Sequence, residues 1–434
     1  MISRHSTILR WFLAIIVIAV IAVFFYVWQP AIDTAQVSAK NFSQDQIKQG
    51  KEVAAAGACV VCHSADNQPA YAGGLALDTP FGTIYSTNIT PNVDFGIGSW
   101  SFEAFNRAMR SGVSRDGSYL YPAFPYTHYT HMKDDEMQAL YAYMMSIEPV
   151  EVQPPKTDLP FPFNIRPLMA GWNLLFLDKD PIVSVENQSE SWNRGYYLVN
   201  SSGHCAGCHS PRNMLGAEKK GEHYLAGGEA DGWLAPALNQ DSLAPVAWNE
   251  EALFDYLRYG FSSEHGVAAG SMAPVVREAT SKVSESDTRA IATYLASFHQ
   301  DNTKNEAQNQ ATQFALKTLV PPQSEAARMF SSGCAACHHS GDGPKPYGVR
   351  PELWLSTTLY LDKPDNVINA VLDGVQNPAH SDLGYMAPFR YSYSDKQIAE
   401  LVNYMRIEFA GKEPWQDLEK TVARIREDSN NSSK

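Results

Sequence analysis

The chain has 434 residues, too many for one ordinary hydrophobic core, so about two to four domains are expected. Its 34 basic and 47 acidic side chains give a formal net charge of −13, which argues against nucleic acid as a partner. Charged residues make up 19% and aromatic residues 11%, a composition that suits any well-packed globular protein and excludes nothing further.

The first predicted element is an apolar helix near the N-terminus. Residues 11–28 carry no charged side chain, and a helix of that length, at ~1.5 Å per residue, spans about 27 Å, close to the hydrocarbon thickness of a bilayer. Arg4 and Arg10 precede it and no basic cluster follows at once, which predicts a cytoplasmic N-terminus. A signal peptide cleaved near 37–39 is the alternative. Both interpretations place residues 40–434 in the periplasm, and the first predicts a single-pass protein of the inner membrane.

The six cysteines fall into three C-x-x-C-H motifs, which predict attachment of c-type haem. In this motif the two thiols bond to the porphyrin vinyl groups, and the adjacent histidine binds the iron. The motif residues are Cys59, Cys62 and His63; Cys205, Cys208 and His209; and Cys334, Cys337 and His338. A zinc site needs four ligands, a thioredoxin-like pair needs a strand–helix–strand context, and a disulfide at this spacing favours strain. We therefore predict three covalently bound haem c groups.

Each motif lies in a repeated helical unit. A short helical segment precedes the cysteines, and an acid-capped amphipathic helix closes the unit, with Tyr143, Tyr294 and Tyr404 at matching positions. This frame resembles class I cytochrome c. Because alternation typical of strands is almost absent, the fold class predicted is all-α, with three tandem cytochrome c-like domains after the transmembrane helix.

The predicted division of the chain follows from these repeats and from the composition between them. It comprises an anchor and stalk at 1–40, a first cytochrome domain at 41–152, a proline-rich and apolar connector at 153–188, a second domain at 189–302, a linker at 303–319, a third domain at 320–412, and a C-terminal helix and tail at 413–434.

Two apolar segments lie outside the repeats. The run 168–177 is too short to span a bilayer, so we expect it to pack between domains or, alternatively, to lie at the membrane surface or a quinone pocket. Near the C-terminus, Trp415, Leu418, Val422 and Ile425 share one helical face. This face is expected to pack against the third domain, with partner docking as the alternative, and residues from 426 onward are expected to be disordered.

The sixth iron ligand differs between the repeats. An electron-carrying haem needs a ligand opposite the proximal histidine, and Met272 and Met386 lie on proline-marked loops about twenty residues before the closing tyrosines. The same alignment places Phe124 at this position in the first repeat, and phenylalanine cannot bind iron. We predict that His128 supplies the ligand there, with Met132, His131 and an open or water-bound iron as alternatives. A second imidazole would lower the potential of that haem relative to the other two.

The run 71–126, the haem motifs and the "MAPV" and "MAPF" segments resemble the triheme cytochrome c subunits of bacterial membrane-bound dehydrogenases. That family includes subunits of alcohol, gluconate, sorbitol and fructose dehydrogenases. The "YPAFPY" segment is more similar to cytochromes paired with molybdenum hydroxylases, such as aldehyde or nicotinate dehydrogenases. The resemblance implies a catalytic partner subunit, which is a molybdenum hydroxylase or else a quinoprotein or flavoprotein dehydrogenase.

The predicted function is therefore electron relay from that partner to ubiquinone or to a terminal oxidase. No nucleotide-binding motif, propeller repeat or spare cysteine for an iron–sulfur cluster is present, so no catalytic residue is predicted and substrate chemistry is assigned to another polypeptide. One rival is a peroxidase-like haem enzyme or ligand sensor with an open first haem. Another is a donor module of a terminal oxidase.

Overall fold

The structure is a computed structural model that describes residues 2–299, 324–338, 352–375 and 385–432. The predicted linker at 303–319 lies outside the described residues. Helices dominate, at 49% of the chain. One described helix is long and apolar enough to cross a bilayer, with a mean hydropathy of 2.8 over Ile8–Val27. It covers nearly all of the predicted anchor.

The helices follow the predicted order. Helices α1 to α12 are Ile2–Val27, Gln44–Ala56, Cys59–Cys62, Phe102–Ser111, Tyr126–Tyr129, Asp134–Met144, Leu168–Phe176, Glu190–Asn200, Ala206–His209, Glu250–Tyr259, Met272–Glu278 and Glu285–Ala296. Helices α13 to α17 are Glu325–Gly333, Ala335–His338, Asp365–Asp373, Asp395–Ala410 and Leu418–Ser432. Short 3-10 turns occur at Ala39–Asn41, Gly221–His223, Thr280–Lys282, Ser297–His299, Leu353–Leu355 and Thr357–Leu359.

Short hairpins that the sequence did not predict accompany the helices. Strand β1 (Ala76–Thr79) pairs antiparallel with β2 (Gly82–Tyr85), β3 (Gly228–Ala230) with β4 (Trp233–Ala235), and β5 (Phe261–Ser262) with β6 (Gly266–Val267). Each is only two to four residues long in each strand, so the fold stays helix-rich.

The chain forms two compact units. The first contains residues 1–53 and 62–182, and the second contains residues 54–61 and 183–434. The boundary at 182 falls within the predicted connector, and the division into three cytochrome domains stays a prediction. Most of the connector belongs to the first unit, where Leu159 and Ala170 are buried and Thr157 accepts a hydrogen bond from the Tyr85 amide at 2.9 Å.

In the first unit, α2 crosses α6 at a point of close backbone approach. A Cβ added at Gly50 would lie 1.9 Å from the carbonyl oxygen of Ala139 and 2.8 Å from the Cβ of Tyr143. The predicted closing tyrosine therefore packs where the two helices touch, and its ring meets Tyr71 edge-on at 6.3 Å. Glycine is required at this position because any side chain would force the helices apart.

We expect Gly50→Ala to lower the free energy of unfolding by ~1–3 kcal/mol, the usual cost of overpacking a rigid contact. Chemical denaturation of the detergent-solubilised chain, followed by haem absorbance, measures this. The matched control is Gly171→Ala in α7 of the same unit, where an added Cβ meets no described atom within 4 Å. An unchanged stability of the Gly50 variant would mean that the crossing is loose.

The second unit repeats this arrangement where α8 crosses α12. A Cβ at Gly195 would lie 1.9 Å from the carbonyl oxygen of Ala290 and 2.8 Å from the Cβ of Tyr294. The Tyr294 hydroxyl lies 3.3 Å from that of Tyr224. The side chain of Ser284 caps α12 by accepting from the backbone N–H of Asp287 at 3.2 Å.

The same unit contains a core formed by α13, α15, α16 and α17. Trp415, Leu418, Val422 and Ile425 are buried in it, which confirms that this face packs against the third repeat. The expectation of disorder from residue 426 is wrong, because α17 continues to Ser432. Ion pairs hold its polar end: the Arg426 guanidinium contacts Asp395 at 2.7 Å, which fixes a segment that is too polar to bury apolar surface.

The hairpin β3–β4 is capped by side chains of α15. The Asn366 amide receives the backbone N–H of Leu234 and donates to its carbonyl oxygen, both at 2.8 Å. Asn369 donates to the carbonyl of Gly232 at 3.1 Å. Both asparagines are buried, so the edge of β4 pairs with amides that imitate a neighbouring strand.

Candidate functional site

Each C-x-x-C-H motif forms a single helical turn, namely α3, α9 and α14. In all three, the first cysteine is half-buried and the second is exposed, and no disulfide links them in the described part of the chain. The residue before the first cysteine has positive φ in two copies, 47° at Ala58 and 36° at His204. The chain thus turns sharply into the motif and presents two thiols from one turn of helix.

The cysteine thiols do not have the character of a redox pair. Burial raises the pKa of Cys205 to about 12 and that of Cys334 to about 11. Catalytic redox cysteines instead have a lowered pKa, because the thiolate is the reactive form. Neutral thiols side by side suit covalent attachment of a cofactor better than thiol–disulfide exchange.

The motif histidines are oriented by backbone carbonyls. The Nδ1 atom of His63 lies 2.6 Å from the carbonyl oxygen of Thr87, and Nδ1 of His209 lies 2.7 Å from that of Pro236. A carbonyl can only accept, so Nδ1 donates and Nε2 keeps its lone pair for a metal. Burial lowers the pKa of both imidazoles, opposed by these bonds, and so favours the neutral form that binds a metal.

The unexpected hairpins supply those acceptors. Strand β2 ends two residues before Thr87, and β4 ends directly before Pro236. Each histidine carbonyl also accepts a backbone N–H at 2.8 Å, from Gly73 for His63 and from Gly227 for His209. Both glycines have positive φ, which the tight return of the chain demands. The histidine is thereby held from both its ring and its backbone.

The third motif is described as far as His338. It ends α14, and Cys334 belongs to the apolar cluster around Phe330 and Tyr404. The residues at 339–351, which follow the motif, lie outside the described ranges.

In each repeat, the candidate sixth ligand lies at the same position along the chain relative to the glycine that ends the preceding helix. Helices α4, α10 and α15 each end at a glycine with positive φ, namely Gly112, Gly260 and Gly374. Phe124, Met272 and Met386 each stand twelve residues beyond that glycine. In the first two copies the turn between is also the same, since Leu120 donates to Gly112 at 2.8 Å and Ala268 to Gly260 at 2.9 Å.

Phe124 therefore occupies the position that carries methionine in the other repeats. Its ring packs among tyrosines, 5.5 Å from Tyr129 and 6.2 Å from Tyr126. Two of the sequence-predicted alternatives, His128 and Met132, are buried close by in the chain. The third, His131, has Nδ1 2.7 Å from the carbonyl oxygen of Asp180.

The two methionines stand in well-defined turns. Met272 begins α11, where a proline-marked loop was predicted, and packs with Tyr256 against Ala268 and Val276. Met386 forms an antiparallel bridge with Val375 through hydrogen bonds of 3.0 and 3.1 Å.

Comparison with known proteins places these features in a family. The cytochrome c family model matches residues 47–148 and 323–407. The cytochrome subunit of fructose dehydrogenase from Gluconobacter japonicus is 34% identical over 84% of this chain and 79% of its own length. The cytochrome c subunit of gluconate 2-dehydrogenase from Pantoea cypripedii is 36% identical over 88% of this chain and 90% of its own. The chain belongs to the cytochrome c subunits of bacterial membrane-bound dehydrogenases.

A third relative of this cytochrome is more similar in sequence but much longer. It is a nicotinate dehydrogenase subunit from Pseudomonas putida that is 50% identical over 89% of this chain, which spans only 32% of that protein. Membership of the family confirms the predicted resemblance, and it confirms a non-catalytic electron-transfer subunit of a dehydrogenase. The cofactor of such a cytochrome is covalently bound haem c.

The residues of the second repeat fit a haem. His265 is 6% exposed, and neither ring nitrogen has a hydrogen-bond partner among the described residues. Its ring stacks on Trp248 at 3.5 Å, Trp248 meets Tyr256 at 5.3 Å, and Tyr256 and Met272 pack against the same pair of residues, Ala268 and Val276. An imidazole buried without a partner is costly, and a haem carboxylate is a group that would satisfy it. Burial and the nearby His299 lower the pKa of His265 to about 3.

His265 and the carbonyls of Thr87 and Pro236 were not predicted from the sequence. A lone histidine in a loop is usually a surface residue, and only its burial shows otherwise. The carbonyls carry no side-chain signal at all. The position of His265 in the turn that leads to Met272 is the one clue that the sequence offered.

Proposed function

We propose that this chain is the triheme cytochrome of a membrane-bound molybdenum hydroxylase that oxidises an N-heteroaromatic compound or an aldehyde. It receives electrons from that catalytic subunit and delivers them to ubiquinone or a terminal oxidase. Helix α1 anchors it in the inner membrane, with the haem-binding part in the periplasm. Three class I cytochrome c-like domains, at 41–152, 189–302 and 320–412, each hold one haem.

The observation that carries this proposal is the repeated geometry of the motif. Two repeats hold the histidine by a ring-to-carbonyl bond of 2.6 or 2.7 Å and by a glycine N–H, and the third has the same cysteine turn. We infer that Cys59, Cys62, Cys205, Cys208, Cys334 and Cys337 attach the haems and that His63, His209 and His338 are the proximal ligands.

The distal ligands are assigned from their common position, twelve residues beyond the glycine that ends the preceding helix. We assign Met272 and Met386 to the second and third haems, since both methionines stand at the same distance from that glycine. For the first haem we assign His128, with Met132 and His131 as alternatives. When bound, haem c carries one electron at a time, and the ligand set tunes its potential.

The partner is inferred from likeness. The relative with 50% identity is a subunit of nicotinate dehydrogenase, whereas the fructose and gluconate dehydrogenase subunits are 34–36% identical. The replacement of methionine by Phe124 also favours the molybdenum group, to which the sequence of this segment is more similar. This chain spans 32% of that relative's length, and we propose that the substrate is oxidised at a centre contributed by the partner subunit.

Purification of the affinity-tagged chain from detergent-solubilised membranes tests the proposal. We expect a subunit that contains molybdenum and a pterin cofactor to co-purify, together with three haem equivalents per chain. The purified complex should reduce a ubiquinone analogue when an N-heteroaromatic or aldehyde substrate is added. A co-purifying flavoprotein or quinoprotein would replace the partner but keep the relay, and a chain that purifies with oxidase subunits alone would contradict the proposal.

A further inference from the structure

Helix α7 (Leu168–Phe176) directs its polar side chain toward the protein and apolar side chains outward. Its asparagine, Asn173, faces the protein, where it accepts from the Tyr126 hydroxyl at 2.7 Å and donates to the Ser111 carbonyl at 3.1 Å. Tyr126 is fully buried. A surface helix of a soluble protein has the opposite arrangement, with polar groups toward water.

The outward face of α7 is apolar. Leu168, Leu174 and Leu175 are 51%, 71% and 68% exposed, and an added Cβ at Gly171 would meet no described atom within 4 Å. Trp172 and Phe176 are half-buried and contact each other at 5.1 Å. Contiguous leucines directed away from the protein mark a surface made for an apolar environment.

This face continues into the preceding segment. Phe161 is 79% exposed, and Phe163 and Ile165 are 39% and 38% exposed. Together with the three leucines these residues form what we call the apolar ledge. Nine helical residues cover only about 14 Å, so α7 cannot cross a bilayer and must lie along its surface if it enters one.

The apolar ledge lies beside the end of the transmembrane helix. Val27, the last residue of α1, packs with Met169 against a small core of Val113, Tyr119 and Ala170. Helix α7 and the end of α1 therefore share one small apolar core within one compact unit.

The residues that follow α1 are hydrogen-bonded to the rest of the first unit. Arg107 donates to the carbonyl of Pro30 at 2.7 Å, and the Ile32 amide donates to the carbonyl of Arg115 at 2.8 Å. Arg115 donates in turn to the carbonyl of Ile32 at 3.1 Å. These bonds set the orientation of the first unit relative to the membrane helix.

We propose that the apolar ledge rests in the lipid bilayer surface beside α1 and forms a second, interfacial contact of the first unit with the membrane. The continuity with α1 selects lipid as the occupant, because the apolar span must itself stand in lipid and α7 shares the small core on which the end of α1 packs. The inference rests on α1 being the anchor proposed above.

Photo-crosslinking on the full chain tests this. A photoreactive amino acid replaces Leu174, Ile18 or Val93, one at a time, and the chain is reconstituted in vesicles of phosphatidylethanolamine and phosphatidylglycerol. Ile18 lies in α1, whereas Val93 matches Leu174 as an apolar residue of the same unit and is 67% exposed. Mass spectrometry should find lipid adducts at Leu174 and Ile18 and none at Val93.

The outcomes separate the inference from the anchor. Lipid adducts at Ile18 without adducts at Leu174, or adducts of Leu174 to protein or quinone, would overturn the ledge and leave the anchor intact. Absence of lipid adducts at Ile18 would overturn both the anchor and the ledge. Equal labelling of Val93 and Leu174 would show that lipid does not contact the apolar ledge specifically, and would overturn the ledge. As a second measurement, Leu175→Glu should reduce lipid adducts at position 174 while the haem absorbance spectrum stays that of the parent.

Discussion

The double variant Cys205→Ala, Cys208→Ala is expected to lose one of three covalent haem equivalents and all substrate-dependent reduction of ubiquinone. Both thioether bonds of the second repeat require these thiols, and His209 alone provides one coordinate bond at a site that otherwise relies on covalent attachment. If the three haems act in series, the loss of any one of them interrupts electron transfer from the substrate to ubiquinone. Pyridine haemochrome analysis per polypeptide and haem staining after denaturing electrophoresis measure the loss.

The matched control is Gly207→Ala, which changes the second motif to the "CAACH" of the third. An added Cβ there meets its nearest described atoms at 3.7 and 3.8 Å, an ordinary contact distance. This variant should keep three equivalents. If the double variant also kept them, attachment through these cysteines would be refuted. Fewer than three in the parent would require redrawing the relay.

The second large effect is expected at the first haem. His128→Ala should remove the low-spin electron paramagnetic resonance signal of a bis-histidine haem and open that iron to carbon monoxide in the reduced protein. The reason is that Phe124 stands at the position that methionine occupies in the other repeats, and phenylalanine offers no ligand. His128 is the buried imidazole four residues further along the chain. Signals from the other two haems, with methionine ligands, should persist.

His131→Ala and Met132→Leu provide the controls for this experiment. The first removes the imidazole whose Nδ1 contacts the Asp180 carbonyl, and the second keeps the volume of a buried side chain but removes its sulfur. Neither should change the spectrum. A signal lost with either of them instead of His128 would transfer the assignment, and carbon monoxide binding to the parent at one haem in three would favour the open site.

The helices that open and close each repeat were predictable because their patterns are local. Acidic residues follow a serine cap at Ser284 and Ser394, and apolar residues recur at three and four, so sequence alone placed the helices within a few residues. The buried face of Trp415 and Val422 followed from the same periodicity. The helix beyond Arg426 did not, since its residues are polar and the sequence does not show that Arg426 pairs with the distant Asp395.

The hairpins and the backbone carbonyls that orient the motif histidines could not be predicted. Strands of two to four residues have too few positions to show alternation, and only the Asp231-Gly232 turn between β3 and β4 carries a recognised hairpin signal. The bonds from His63 to Thr87 and from His209 to Pro236 join a side chain to a backbone atom far along the chain. The position of Phe124, by contrast, could be found by comparing the spacing of residues in the three repeats. Its structural basis, the helix end at Gly112, became clear only with the fold.

The capping of β4 by Asn366 has a consequence for how the molecule comes apart. If α15 were to detach, the amide and carbonyl of Leu234 would lose both partners together, and each of these hydrogen bonds contributes roughly 0.5–1.5 kcal/mol net. Melting of the last repeat would thus loosen the strand that positions Pro236 behind His209. Thermal damage at the C-terminal end should therefore register at the haem of the second repeat as well as at that of the third, before the helices of the second repeat open.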